Sequence, residues 1–221
     1  MQTKSFTIAC SLLAIASLSI ACTASSQGLS SRNFDTPAKS VAAKSEPAAA
    51  NPPILNLDIS VDAAYAAIPH RRTAMDFAAS NMPDQDKQFL QIAFHVIDQA
   101  IRLRVTAYQE SFKGELSDAQ FADFDTLIDY LENTEAPADL TSYKAHIVRA
   151  LVDQKAFFQE WKDKGEDFQY SSPQTVGSHA KVQSSSAALR EGYEILMELY
   201  PSEGMVNRAA FFDYHCALDF V

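Results

Sequence analysis

Cysteine is nearly missing from this chain, with three in 221 residues: Cys10, Cys22 and Cys216. Cys10 lies inside an apolar N-terminal run that reads as a removable leader, so at most two thiols persist and no disulfide framework can hold the fold. Glycine is scarce as well, and three of the six, Gly114, Gly165 and Gly204, sit where helices should end. Basic residues are in deficit, 18 against 28 acids, for a formal net charge of −10. An acidic domain does not bind nucleic acid by counterion release and is repelled by anionic lipid, so no nucleic-acid partner is expected.

Chemical motifs are absent too. The chain has no Cys-x-x-Cys-His for covalent haem, no His-Glu-x-x-His for zinc, and no Glu three residues ahead of a histidine as di-iron bundles require. Neither a glycine-rich phosphate loop nor Gly-x-Ser-x-Gly occurs, and no nucleophile and base stand out as a pair. The sequence therefore names no enzyme activity, no cofactor and no metal.

The amino terminus is more informative. Phe6 to Cys22, "FTIACSLLAIASLSIAC", is uncharged and mostly apolar, and reads as a secretory signal peptide. Its run of about 16 apolar residues falls short of the roughly 20 that a spanning helix needs. The junction "LSIACTASS" resembles the bacterial lipobox at Ile20, Ala21 and Cys22, with Ser19 where leucine is usual. That resemblance implies lipidation of Cys22 as the mature N-terminus and a lipid anchor in the cell envelope facing the periplasm. Ordinary cleavage nearby, for instance after Ala24, would leave a soluble periplasmic or secreted protein. Residues 23–53, rich in Ser, Ala, Pro and Lys, cannot bury enough apolar surface to offset their ordering entropy, and read as a disordered tether. With Cys22 lipidated, Cys216 is a lone thiol in an oxidising compartment, which favours its burial.

Residues 54–221 form one domain-sized remainder in which apolar residues recur at spacings of three and four. Helices are expected over about 60–79 with a kink at Pro69, 83–112, from Ser117 with Gln120 completing a capping box, 141–164, 178–200, and a short one after Pro201. The fold class is all-α. The expected architecture is an up-and-down bundle of four to five long helices closed by the C-terminal one.

Five histidines fall one to a helix: His70, His95, His146, His179 and His215. His95, on a polar face with Asp98 and Arg102, reads as solvated, whereas His179 and His215 lie on apolar stripes. On the last helix Arg208, His215 and Asp219 share one side, as a row of polar groups facing a common pocket. Arg72 and Arg104 each interrupt an apolar stripe, and a buried arginine needs a partner. "IPHRRT", His70 to Thr73, reads as an ion-paired segment or an anion site.

The ligand-binding candidates are thus His70, Arg72, Arg104, His179, Arg208, His215 and Asp219, with Cys22 for lipidation. The leading functional expectation is a non-enzymatic envelope lipoprotein whose bundle is a binding or interaction module, held to the membrane by its N-terminal lipid and meeting an envelope protein partner. The rival is a bundle binding a metal, haem or small ligand through buried histidines.

Overall fold

The computed structural model describes residues 51–68, 70–165 and 173–220. The leader, Cys22 and nearly all of the tether lie outside the described residues. Within the described residues the fold is helical, without strands. The helices are α1 (Val61–Ala67), α2 (Asp84–Ser111), α3 (Asp118–Asn133), α4 (Thr141–Lys164), α5 (Pro173–Gly177), α6 (Ala180–Leu199) and α7 (Met205–Leu218), with a 3-10 turn at Ala138–Leu140 leading into α4.

Local chemistry sets the boundaries. Ser60 caps α1, its Oγ accepting from the Ala63 N–H at 3.1 Å. α2 starts after Pro83, which has no N–H to leave unsatisfied. The capping box at Ser117 and Gln120 opens α3, the Ser117 N–H donating to Gln120 Oε1 at 2.8 Å. Gly165, at φ +54°, ends α4 in a conformation that a side chain would strain.

α2 is the hub, packing on α1, α3, α4 and α7, while the most extensive pairing is α4 on α6. Its apolar stripe, including Leu90, Phe94, Ile97 and Ile101, is buried as the periodicity requires. On α7, Phe211, Tyr214 and Leu218 dock into the core, Tyr214 stacking on Phe94 with ring centroids 4.4 Å apart.

The expected helix over 60–79 is corrected by the structure. α1 ends at Ala67 and the chain leaves helix at Ile68, because a residue ahead of proline is pushed out of the α region. Beyond it, polar anchors hold the non-helical stretch up to residue 82. Thr73 Oγ1 donates to Asp213 Oδ2 at 2.5 Å. Asn207 grips the Asp76 backbone, accepting from its N–H at 2.8 Å and donating to its carbonyl at 3.1 Å. The Glu203 carboxylate accepts from Ser80 Oγ at 2.9 Å and from the Asn81 N–H at 3.0 Å.

The polar face of α2 is a second correction. His95, Asp98, Gln99 and Arg102, spaced as one helical face, are covered by the chain itself rather than by water: residues 53–59 lie on His95, Gln99 and Arg102, while Tyr65 and Arg72 bond Asp98. His95 Nε2 lies 3.0 Å from the Pro53 carbonyl, so His95 is half-buried, and Pro53, assigned to the tether, is held to the domain. Arg102 donates to the carbonyls of Ile59 at 2.6 Å, Leu57 at 2.9 Å and Leu55 at 3.3 Å. The segment makes a tight turn, the Leu57 N–H donating to the Leu55 carbonyl at 3.1 Å, and bends at residues 58–59, which brings three of its carbonyls round the rigid guanidinium fork.

Arg102→Met should therefore free residues 53–59 and cost about 3 kcal/mol, since hydrogen bonds from a charged donor contribute about 1.5–3 kcal/mol each and are not additive. Hydrogen exchange together with a denaturant melt checks it. Unchanged protection at Leu55 and Leu57 would contradict the clamp.

Candidate functional site

The expected polar row on α7 does not assemble. Arg208 is exposed, His215 is only 3% exposed, and Asp219 is half-buried just past the helix end. Offsets of seven and four align side chains around the axis but do not set their depth along it, and Arg208 lies in the first turn after the 200–204 connection. Besides His215, the polar residues that α7 buries are Asn207 and Asp213, which anchor the 70–82 stretch.

His215 is a core histidine. Its Nδ1 lies 2.6 Å from the Phe211 carbonyl, which can only accept, so Nδ1 carries the hydrogen and Nε2 presents a lone pair that meets no donor. Burial pulls its pKa down to about 4, against the carbonyl bond, so the ring is neutral at physiological pH. Tyr143 packs edge-on to it at 5.7 Å. A cavity of about 250 Å³ between α6 and α7 reaches His215, Cys216, Tyr193 and Phe212. Cys216, expected to be buried, is half-buried; desolvation, then Asp219 and Asp213, push its thiol up to about 11, which keeps it protonated and unreactive.

His179 is not on the α6 stripe; it is the residue that caps α6. Its Nδ1 accepts from the Lys181 N–H at 3.2 Å and its Nε2 lies 3.3 Å from Glu160 Oε2. Both nitrogens are engaged, so this histidine is structural. His146 pairs with Glu191, Nδ1 to Oε2 at 3.1 Å.

Arg72 resolves as an ion pair. Nη2 meets Asp98 Oδ2 at 2.6 Å, Nη1 meets Asp62 at 3.4 Å, and the guanidinium lies 5.8 Å over the Tyr65 ring. Burial works against the Arg72 charge, but the hydrogen bond and charge of Asp98, with smaller contributions from Tyr214 and Tyr65, together outweigh it and its pKa rises. Arg72 and Thr73 of the "IPHRRT" segment are thus tied to the fold, Thr73 through Asp213.

Arg104 is different. It is only 5% exposed, and Nη2 donates to the Ala217 carbonyl at 2.8 Å, yet Nε is buried without an acceptor. Phe220 supports it, with its ring centroid 5.4 Å from the guanidinium carbon. Burial lowers its pKa to about 10, with Asp219 opposing from beyond ion-pair distance, so it remains cationic at neutral pH. Asp219 is engaged elsewhere, accepting from Ser186 Oγ at 2.5 Å and the Phe220 N–H at 2.7 Å.

A cavity of about 260 Å³ opens beside this guanidinium, with His70 and Asp219 also in its wall and Ile68, Val105, Val176 and Phe220 supplying apolar surface. Three of the seven ligand-binding candidates, His70, Arg104 and Asp219, thus converge on one cavity; Arg72, His179 and Arg208 stand apart, and His215 faces the other one. The Asp98, Arg102 and Asp213 contacts had no signal in sequence except their helical spacing, which reads equally as a solvated face.

Among the described residues no three His, Cys, Asp or Glu side chains gather as a metal site, and no helix is long and apolar enough to cross a membrane. No protein-family model, curated protein or solved structure matches the chain.

Proposed function

We propose that this protein is a non-enzymatic, envelope-tethered binding module: a lipid-anchored chain whose up-and-down helical domain holds a small ligand beside Arg104. One observation carries the ligand reading, a 260 Å³ cavity bordered by a buried arginine whose Nε has no acceptor. A buried cation with no carboxylate in ion-pair range costs several kcal/mol, and an anion in that cavity would supply a close partner that the more distant Asp219 does not. The apolar leader ending in Ile20-Ala21-Cys22, followed by the tether, supports the anchor and the periplasmic location. A small ligand is favoured over a metal because His179 uses both nitrogens locally, His146 pairs with Glu191, and no three ligating side chains gather round the unmet Nε2 of His215 among the described residues.

Native mass spectrometry of the full chain, purified from a bacterial envelope, tests the ligand. A stoichiometric small molecule lost on gentle activation is expected, and repeated ligand-free spectra would count against the reading. Detergent partitioning tests the anchor. The wild type should enter the detergent phase with a lipid-sized mass increase at Cys22, and Cys22→Ser should stay in the aqueous phase. An unmodified Cys22 would remove the anchor from the proposal.

A further inference from the structure

We infer that the cavity beside Arg104 takes a small organic monocarboxylate, its carboxylate paired with the guanidinium and its apolar body against Ile68, Val105 and Phe220. This rests on the binding reading above and names the class of ligand.

Charge selects the class. Asp219 acts on Arg104 only from beyond ion-pair distance, so one negative charge at the guanidinium supplies the close partner it lacks while adding the least repulsion with Asp219. A dianionic phosphate would leave an excess negative charge and place it near Asp219, which shares the wall. A planar carboxylate also matches the guanidinium, which can offer two parallel N–H donors.

The remaining surface selects the rest of the ligand. Ile68, Val105, Val176 and Phe220 make most of the cavity apolar, so a fully hydroxylated acid would leave polar groups unmet there. The volume of about 260 Å³ exceeds the roughly 150 Å³ of an engineered cavity that holds benzene, so a ring or short branched chain bearing one carboxylate fits. Tyr108 also reaches the cavity, and burial raises its pKa, so its hydroxyl stays protonated.

The test is thermal unfolding of the full chain at fixed ionic strength with sodium benzoate, sodium phenylacetate or uncharged benzamide. At a hundredfold excess over Kd a carboxylate should raise Tm by about 5–10 °C, with benzamide giving a small fraction of that. Arg104→Gln should weaken benzoate binding at least tenfold. Ala67→Trp, at an exposed position on the cavity rim, should leave the ligand-free Tm within about 2 °C and abolish the benzoate shift. If Arg104→Gln does not fold, Ala67→Trp and the benzamide comparison still decide. Equal shifts from benzamide and benzoate, both blocked by Ala67→Trp, would overturn the carboxylate class and leave the cavity as a binding site. No shift from any probe would overturn both.

Discussion

Ending the chain at Gly204 should unfold the domain. α7 places Phe211, Tyr214 and Leu218 in the core, and at about 1.5–3 kcal/mol for each large apolar side chain these three contribute about 5–9 kcal/mol. Typical total stability is only about 5–15 kcal/mol. The loss extends beyond apolar area. Without α7 the Arg104 guanidinium loses the Ala217 carbonyl, Gln154 loses the Leu218 carbonyl at 2.8 Å, and the 70–82 stretch loses Asn207 and Asp213. Near-ultraviolet circular dichroism of the truncated chain should show no fixed aromatic environment and no cooperative melt. A cooperative melt with retained aromatic signal would mean that α7 is an accessory and not part of the core.

Acidification should weaken the domain through His215. The folded ring holds its proton only below about pH 4, against an ordinary value of 6.5, so the unfolded chain takes up a proton that the folded one refuses. Stability from this group is complete above about pH 6.5 and is lost as pH falls toward 4. At about 1.4 kcal/mol per tenfold change in proton affinity, the loss is about 3 kcal/mol. His215→Gln, which keeps a donor for the Phe211 carbonyl, should flatten that part of the profile even if it melts lower at neutral pH. Parallel pH profiles for the wild type and the variant, from denaturant midpoints between pH 7 and 4, would show that His215 exchanges its proton freely.

Much of the fold could be read in advance because helix chemistry is local. The extents of α2 and α4, the Ser117 capping box and the docking of Phe211, Tyr214 and Leu218 follow from spacing, caps and breakers within a few residues. Several errors share one cause, that a polar residue's partner lies elsewhere in the chain; the end of α1 at Ile68 and the capping role of His179 are instead local. His95, Asp98 and Arg102 form what any amphipathic pattern treats as the wet side, and it is covered by the return of residues 53–59 over His95 and Arg102 and by Tyr65 and Arg72 on Asp98. The 70–82 stretch escapes helix because its anchors, Glu203, Asn207 and Asp213, come from more than 120 positions away.

What the sequence determined alone is therefore the helical class, the helix limits set by caps, glycines and prolines, and which apolar side chains face inward, since each depends on backbone sterics and a 3.6-residue period. It also singled out Arg104 as a charge on an apolar stripe. The tertiary structure decided which arginines are satisfied. Arg72 found Asp98, Arg102 found three carbonyls and Arg208 stayed exposed, while Arg104 was left beside a cavity with Nε unmet. The difference is one of range: burial of an apolar side chain needs only a face, whereas satisfaction of a charge needs a partner at hydrogen-bond distance, and that is fixed only when distant segments have packed.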